Sequence, residues 1–428
     1  MRIERLGRGG TVAQVLAGLD TRARRSGLPA PAALTGEWFG CAAVIAPSLA
    51  TAAVPPSHAF ESARVRHGTG ARRPGGPVIG GGWIGYLAYP DGSGAAPSLP
   101  AAAGGWTDSV LRLDLDGCWW YEALTDEPCP RDVAATVTDG TVTGSTPTVG
   151  AAWHIDWSAP DPTEHRRGVE SCLDAIRAGE VYQACVCTRF TGRWSGDPLG
   201  FFADAVTRTS PARAAYVAGP WGAVASLSPE LFVSRHGRRL RSSPIKGTVP
   251  RTADPAELRA SVKDVAENIM IVDLVRNDLG RVADTGSVTV PELLTVRPAP
   301  GVWHLVSTVA ATARAGTSVR ELLDAAFPPA SVTGCPKIRA RELLQRWEPH
   351  ARGVYCGAVG MSGPLAGLEL NVAIRTVEFG PDGSCALGVG GGITADSDPD
   401  AEWRECLDKA ASIVRLPSRS AHLTGGVR

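Results

Sequence analysis

Strand-like runs and capped helical segments follow one another irregularly along this chain, and that order limits the possible folds more than any other feature. Apolar periodicity, or an Asp cap followed by Pro, predicts helices at residues 161–179, 254–280 and 398–413. Strand-like runs such as residues 214–217 and 307–311 lie between them. No strand–helix–strand unit repeats, so the sequence predicts an α+β fold rather than a doubly wound parallel sheet.

The composition changes along the chain and indicates how it is organised. Residues 1–125 are rich in Ala, Gly, Pro and Trp and read as an N-terminal region of short strands. Residues 126–160 are polar and turn-rich, and we interpret them as a connection. Residues 161–416 carry the helices and most polar motifs, and residues 417–428 are expected to be a disordered tail. We expect the regions before the tail to form one intertwined structural unit.

The charge balance and the lack of long apolar runs exclude several classes of protein. Lys plus Arg and Asp plus Glu number 43 each, so the chain has no overall field for nucleic acid or an anionic membrane. No apolar run approaches the ~20 residues of a membrane span, and the N-terminus lacks the apolar core of a signal peptide. The ten Cys include no C-x-x-C pair. We therefore expect a cytoplasmic protein with reduced thiols.

Lysine is rare in this chain, which makes each Lys informative. Four of the 43 basic residues are Lys, namely Lys246, Lys263, Lys337 and Lys409. An amine can lose its proton and attack carbon, whereas a guanidinium cannot. Lys246 stands between Pro and Gly residues, so we interpret it as a candidate nucleophile, with a solvated surface turn as the alternative. Lys263 and Lys337 are assigned no catalytic role.

Carboxylates in three segments suggest an acid and a metal site. Glu230 stands at the entrance to a predicted strand, where burial would suit a general acid; a surface or capping Glu is the alternative. Asp264 and Glu267 are three residues apart, as are Glu402 and Glu405, so each pair shares a helix face. Together they predict a site for Mg²⁺, which prefers oxygen ligands. A solvated acidic face is the alternative for either pair alone.

Two glycine-rich runs differ in what they indicate. Residues 388–399 follow a strand-like run and open the third helix, so the amides of Gly390, Gly391 and Gly392 predict an anion site. A flexible turn is the alternative. Residues 80–85 match G-x-G-x-x-G, but no long helix follows, so we reject a dinucleotide site there.

Taken together, these motifs resemble those of the chorismate-binding enzymes. The matching segments lie at residues 179–183, 228–230, 244–251, 266–282, 304–308, 331–337, 352–357 and 371–376 and in the glycine run with its acidic helix. Their order and spacing are those of the family, and a weaker match lies at residues 81–89. The resemblance implies two antiparallel sheets packed as a sandwich, with helices outside and the active site in a cleft.

Two positions relate the chain to one branch of that family. Isochorismate and salicylate synthases carry Lys where this chain has Gln183. Anthranilate synthases carry Ala where it has Lys246, and aminodeoxychorismate synthases carry Lys there. The resemblance therefore implies amination of chorismate at C4 to 4-amino-4-deoxychorismate, the first step toward p-aminobenzoate and folate. Anthranilate synthesis is the sibling alternative.

The resemblance also implies roles for individual residues. Glu230 protonates the departing C4 hydroxyl, Lys246 attacks C2 to form a covalent intermediate that ammonia then displaces, and His304 lies near the C4 hydroxyl. Substrate contacts are implied for Gln183, Gly247, Thr248, Tyr355, Arg375, Gly390, Gly391, Gly392 and Lys409. Mg²⁺ is implied at Glu267 and Glu405, with Asp264 and Glu402 close by.

The source of ammonia is expected to be a second protein. No glutaminase motif of the G-x-C-x-G type occurs, so the resemblance implies a separate glutamine amidotransferase subunit. Pro329, Ala330 and Cys335 depart from the family pattern in a loop that bears on this partner or on the ammonia route. Two further hypotheses remain: Lys246 as a pyridoxal phosphate Schiff base, and a catalytically inactive subunit that binds ligand and regulates its partner.

Overall fold

Two antiparallel β-sheets packed face to face form the body of the protein. The computed structural model describes residues 1–61, 77–91, 98–138 and 151–419. Within these ranges one sheet has 12 strands and the other has 10, and all the strand pairs are antiparallel. The α+β sandwich that the resemblance implied is therefore confirmed.

Strands and helices are numbered in chain order. The larger sheet contains β1 (Arg2–Gly7), β2 (Ala32–Trp38), β3 (Cys41–Ala46), β7 (Ser109–Leu113), β8 (Trp119–Ala123), β9 (Trp153–Ser158), β10 (Gln183–Gly196), β11 (Arg213–Gly219), β12 (Gly222–Ser228), β18 (Gly334–Cys335), β21 (Thr376–Phe379) and β22 (Ser384–Ile393). The smaller sheet contains β4 (Ala52–Ala53), β5 (Gly82–Leu87), β6 (Ala102–Thr107), β13 (Leu231–His236), β14 (Arg239–Ser243), β15 (Ile245–Pro250), β16 (Thr289–Ala299), β17 (Val302–Thr312), β19 (Ala358–Gly363) and β20 (Gly367–Val372). The helices are α1 (Val12–Ser26), α2 (Arg131–Thr138), α3 (Pro162–Arg177), α4 (Pro198–Thr209), α5 (Ala256–Ala260), α6 (Val262–Gly280), α7 (Val319–Ala326), α8 (Lys337–Trp347) and α9 (Pro399–Val414).

Helix boundaries agree with the sequence at two of the three predicted helices. Asp161 caps α3 and Asp398 caps α9, each with Pro in the first turn. The helix predicted over residues 254–280 is instead two helices. Ser261 has an extended backbone (φ −70°, ψ 107°), and its hydroxyl accepts the Asp264 amide to start α6. A fresh cap inside the segment thus overrides its helical periodicity.

The main core lies between the two sheets. Leu34 and Val217 of the larger sheet pack with Ile84 and Val359 of the smaller sheet, and all four are fully buried. Apolar residues of α1, α4 and α9 pack on the outer face of the larger sheet, and those of α6 and α7 pack on the smaller one. The acidic helices α6 and α9 are therefore fixed by apolar packing, each against a different sheet.

The N-terminal and C-terminal regions share both sheets. Strand β2 pairs with β11, and β5 pairs with β19. The segment 126–160, expected to be a connection, contributes helix α2 and strand β9, while residues 139–150 lie outside the described ranges. Most of the expected tail, residues 420–428, also lies outside them. In the part that is described, no helix combines the length and apolar character that a membrane span requires.

Candidate active site

Side chains from distant segments meet around Gly392 on β22. A Cβ atom placed there would lie 2.4 Å from Gln183 Nε2, 2.7 Å from Glu267 Oε2 and 3.1 Å from Lys246 Nζ. The Lys246 ammonium lies 3.3 Å from Glu267 Oε2. A side chain at this position would displace these three groups. Strands β10, β15 and β22 and helix α6 thus converge at one point.

A second group surrounds the neighbouring glycine. A Cβ atom at Gly391 would lie 3.0 Å from Glu402 Oε2, 3.9 Å from Lys409 Nζ and 4.0 Å from Glu405 Oε1. Lys409 donates to the carbonyl oxygen of Gly390 at 2.8 Å and pairs with Glu405 at 2.7 Å. The acidic faces of α6 and α9 therefore meet at adjacent residues of one strand.

Three of the four carboxylates predicted to bind metal face this glycine pair, but they do not form a complete cage. No group of three or more His, Cys, Asp or Glu in the described ranges is arranged to hold a metal ion. Lysines instead pair with these carboxylates: Lys246 with Glu267, Lys263 with Glu402 and Lys409 with Glu405. The fourth carboxylate, Asp264, lies instead against Gly247, where a Cβ atom would be 3.0 Å from its Cγ.

One buried oxygen in this cluster lacks a partner, and the donor set fits Mg²⁺. Glu402 is 2% exposed, and its Oε1 accepts hydrogen bonds from Lys263 and Ser397, each at 2.6 Å. Its Oε2 is buried and has no hydrogen-bond partner among the described residues. A buried carboxylate oxygen normally has one. An oxygen-preferring cation beside Glu402, Glu267 and Glu405 would supply it.

The position of α6 depends on a residue that the sequence did not single out. Asn268, next to Glu267, donates to the Leu305 carbonyl oxygen at 3.2 Å and accepts from the Ser307 hydroxyl at 2.5 Å. Both partners lie on β17, so the amide fastens the helix to the smaller sheet. Its place in the matching segment at residues 266–282 was the available signal.

Lys246 is held as a cation in this state of the protein. Burial lowers the pKa of Lys246, but the charges of Glu267 and its other acidic neighbours outweigh burial, so the pKa lies above its ordinary value. A nucleophilic amine must be neutral. The depressed pKa that nucleophilic attack requires is therefore absent from the ligand-free site.

Glu230 is placed as a buried acid. It joins β12 to β13, is 4% exposed, and donates its amide to the Ser228 hydroxyl. Burial raises the pKa of Glu230 to about 7, against the opposing effects of the Ser331 hydroxyl, the Lys246 charge and the Ile245 amide. A carboxyl group in this environment keeps its proton near neutral pH and can donate it.

His304 and Thr248 form a polar pair across β15 and β17. Thr248 Oγ1 and His304 Nδ1 lie 2.8 Å apart. Burial, reinforced by the charge of Arg375, lowers the pKa of His304 to about 4. The imidazole is therefore neutral at physiological pH and can accept or donate a hydrogen bond without adding charge.

Arg375 lies near this pair with its charge uncompensated. Burial lowers the pKa of Arg375, and its side chain makes no hydrogen bond or ion pair with any described residue. A guanidinium without a counter-charge is a receptor for a carboxylate. The strand predicted over residues 373–377 is wrong at its start: Arg375 has φ +50°, and β21 begins only at Thr376.

The glycine run forms a strand rather than the predicted loop at a helix N-terminus. Gly390 pairs with Cys187 and Gly392 with Cys185 in the antiparallel register of β10 and β22. The cap of α9 is Asp398, farther along the chain. The glycines therefore serve by leaving space for side chains of α6 and α9, not by forming the start of the helix.

Tyr355 lies beside the same strand but apart from the Lys246 group. Its ring occupies the space where a Cβ atom at Gly388 would fall, 2.2 Å from Cγ. Its hydroxyl lies 4.0 Å from Cys187 Sγ. No hydrogen bond in the described ranges joins Tyr355 to Lys246 or Glu267, so its implied substrate contact depends on a ligand that reaches along β22.

All four lysines of the chain pair with carboxylates of α6 or α9. Lys263, for which the sequence gave no role, donates to Glu402. Lys337 donates to Asp278 of α6 at 2.5 Å. The rarity of Lys was the signal that could have placed Lys263 in the site.

Comparison with known proteins identifies the class. The family model described as chorismate binding enzyme matches residues 45–415, and this chain belongs to that family. The resemblance read from the sequence motifs is confirmed.

Two relatives show which members of the family the chain is similar to. Aminodeoxychorismate synthase component 1 of Klebsiella aerogenes is 40% identical over 302 residues, which cover 69% of this chain and 63% of that protein. The chain thus spans less than two thirds of that relative. Anthranilate synthase component 1 of Streptomyces coelicolor is 33% identical over 382 residues, which cover 81% of this chain and 75% of that protein.

A solved structure gives the fold. Anthranilate synthase component I from Streptococcus pneumoniae TIGR4 superposes with a TM-score of 0.69 and covers 97% of this chain and 92% of its own. The two sequences are 21% identical, so the likeness concerns the fold alone.

Proposed function

We propose that this protein is an aminodeoxychorismate synthase component that converts chorismate and ammonia to 4-amino-4-deoxychorismate. The observation that carries the proposal is the position of Lys246, whose buried amine lies 3.3 Å from Glu267 in the group around Gly392. The similarity to aminodeoxychorismate synthase component 1 at 40% identity supports the same choice.

Glu230 and Lys246 would divide the chemistry between them. The proton of Glu230 goes to the C4 oxygen, which leaves as water while the amine of Lys246 bonds to C2. Ammonia then bonds to C4, and the bond between C2 and the Lys246 nitrogen breaks. Gln183 occupies the position beside Lys246, and an amide cannot deprotonate water there as a neutral amine could.

The remaining polar residues would orient the substrate. Arg375, with no counter-charge among the described residues, suits one carboxylate. Neutral His304, held by Thr248 at 2.8 Å, can contact the C4 hydroxyl without repelling Arg375. Mg²⁺ bound by Glu267, Glu402 and Glu405 would supply a positive charge for the ring carboxylate.

Ammonia would be delivered by a glutamine amidotransferase subunit in the cytoplasm. The chain carries no glutaminase motif of its own, which supports a separate partner. All ten cysteines are unpaired, in keeping with a reducing compartment.

The test is to incubate the purified chain with chorismate, Mg²⁺ and ammonium and to identify the product by mass and chromatography. Aminodeoxychorismate that yields p-aminobenzoate on addition of a lyase would support the proposal. Anthranilate would contradict it and assign the chain to the sibling branch. No consumption of chorismate, even with glutamine and an amidotransferase, would favour an inactive subunit.

A further inference from the structure

The segment 326–337 has no part in the function proposed above, yet it is fastened firmly to the site. Lys337 Nζ donates to Asp278 Oδ2 at 2.5 Å and to the carbonyl oxygens of Ala326 and Pro328, each at 3.0 Å. All three protons of the ammonium are used in this way. Lys337 therefore ties the beginning of the segment to its own end and to α6.

A second set of hydrogen bonds fixes the middle of the segment. Arg352, which is buried, donates to the Val332 carbonyl oxygen at 2.7 Å. The Thr333 hydroxyl donates to the Pro329 carbonyl oxygen at 2.8 Å, and the Thr333 carbonyl accepts the Cys185 amide at 2.8 Å. The short turn at Ala330–Val332 is thereby held between β10 and α6.

At the centre of this turn, Ser331 lies next to the same cavity as Glu230. Both residues line one small cavity, together with Asp278 and mostly apolar side chains. Ser331 is 7% exposed, and its hydroxyl has no hydrogen-bond partner among the described residues. Buried hydroxyl groups are normally bonded. The Ser331 hydroxyl already acts on the pKa of Glu230, which makes the Glu230 carboxyl group the partner that a small adjustment would bring into hydrogen-bond geometry.

We propose that Ser331 is a positioning residue for Glu230, and that its hydroxyl donates a hydrogen bond to the carboxylate formed when Glu230 gives up its proton. The inference rests on the proposed function, in which Glu230 is the general acid. The O–H bond of Ser331 stays intact, and the proton of Glu230 leaves with the C4 oxygen as water. Ser331 lowers the pKa of Glu230, as a donor to the charged form must.

The Ser331 variants leave the other charged groups around Glu230 in the sequence unchanged. Lys246 faces it from β15 and also lowers its pKa. Asp278 borders the cavity from α6 and is paired with Lys337. A change at Ser331 that leaves these groups in place therefore reports on the hydroxyl.

The experiment compares Ser331→Ala with Ser331→Thr, and uses Ser242→Ala as a matched control because Ser242 lines the same cavity and is also buried. In Ser331→Ala we expect kcat to fall roughly tenfold, the scale of one hydrogen bond to a charged group. The alkaline limb of the kcat–pH profile should move up by about one unit, with the chorismate KM unchanged. Ser331→Thr should restore both quantities, and Ser242→Ala should change neither.

A pH-independent loss, or a rise in KM with an unmoved alkaline limb, would overturn the proposal, because Ser331 would then act on the substrate or only on the fold. Ser331→Cys, a weaker donor of similar size, should give an intermediate shift and replaces the Ala variant if that one does not fold.

A second readout needs no turnover and so separates this inference from the proposed function. Carboxyl ¹³C NMR of glutamate-labelled protein reports the titration of Glu230 directly, with Glu230→Gln identifying its signal. Ser331→Ala should raise the pKa of Glu230 even if the wild-type chain makes no aminodeoxychorismate. An unmoved titration would overturn the role of Ser331 whatever the product is.

Discussion

Glu267 on α6 and Glu402 and Glu405 on α9, here together called the acidic wall, each pair with a lysine. Glu230, just before β13, and His304 on β17, here together called the neutral wall, have no salt-bridge partner among the described residues. Burial raises the pKa of Glu230 to about 7 and lowers the pKa of His304 to about 4, so near neutral pH His304 is uncharged and Glu230 is partly protonated. The acidic wall holds charges in ion pairs, whereas burial favours the uncharged forms of Glu230 and His304 on the neutral wall.

The difference follows from how each wall meets the cost of burial. A buried ion is tolerated when an opposite charge lies beside it, and otherwise the group changes its protonation state. Ion pairs on the acidic wall can be exchanged for a cation or an anionic substrate. Neutral groups on the other wall can give or receive a proton. Under the proposed function, the acidic wall suits binding and the neutral wall suits proton transfer.

The strongest test of this division is Lys246→Ala. Loss of the nucleophile should reduce turnover by about 10⁴-fold or more, the scale on which such residues act in other enzymes. Lys263→Ala is the matched control, because it also removes a lysine that pairs with a carboxylate of the acidic wall. Since Lys263 is partly exposed, with 35% of its side chain accessible, that variant should change kcat by less than about tenfold. Steady-state kinetics with ammonium gives both values, and equal losses would remove the special role of Lys246.

On the neutral wall, Glu230→Gln should lower kcat by about 10²- to 10⁴-fold, because the amide cannot protonate the leaving oxygen. In the wild type, activity should decline as pH rises through about 7, where Glu230 loses its proton. The variant should lose this dependence while binding chorismate normally. A kcat–pH profile of unchanged shape in the variant would mean that another group is the acid.

Mg²⁺ is predicted to bind only to carboxylates of the acidic wall. Chelation should abolish turnover, and added Mg²⁺ should restore it. Glu402→Gln should raise the half-saturating Mg²⁺ concentration by about 10- to 100-fold, and Glu257→Gln, on the exposed face of α5, should leave it unchanged. Undiminished activity in chelator would refute the assignment.

The smallest expected effect concerns stability. The pKa of folded Glu230 is raised from 4.5 to about 7, so the folded state keeps a proton that the unfolded state loses within that window. The free energy of unfolding therefore falls as pH rises from about 4.5 to 7. Glu230→Gln removes this penalty and should stabilise the protein at pH 8 by up to about 3 kcal/mol, with little change at pH 4.5. Thermal unfolding at the two pH values checks the difference, and equal effects would argue against a buried proton.

The sequence predicted the positions of the acidic-wall carboxylates on their helices more accurately than it predicted the local backbone conformation. Spacing of three residues put Glu402 beside Glu405 on one helix face, and the Asp398 cap located the start of α9. The predicted helix over 254–280 failed because helical periodicity continues through Ser261, whereas the extended conformation of that residue depends on its own side-chain cap. The glycine run was misread because glycine is as compatible with a close-packed strand as with a turn.

The contacts that join distant segments could not be read from spacing. Lys263 and Glu402 are separated by 139 positions, and the pairing of Lys337 with Asp278 depends on how segment 326–337 folds back onto α6. The pKa of Glu230 depends on burial by residues that are distant in sequence, among them residues of α6, α7 and β20, which no local pattern encodes. The rarity of lysine was the sequence feature that came nearest to predicting these contacts.

The central claim, that Lys246 attacks the substrate, is tested most directly by mass spectrometry of the intact protein. The enzyme would be mixed with chorismate and Mg²⁺ without ammonia, quenched in acid and digested. We expect the peptide that contains Lys246 to gain the mass of chorismate less one water, with no gain in Lys246→Ala. Formation of aminodeoxychorismate on adding ammonium, with no such adduct at any time, would contradict the account.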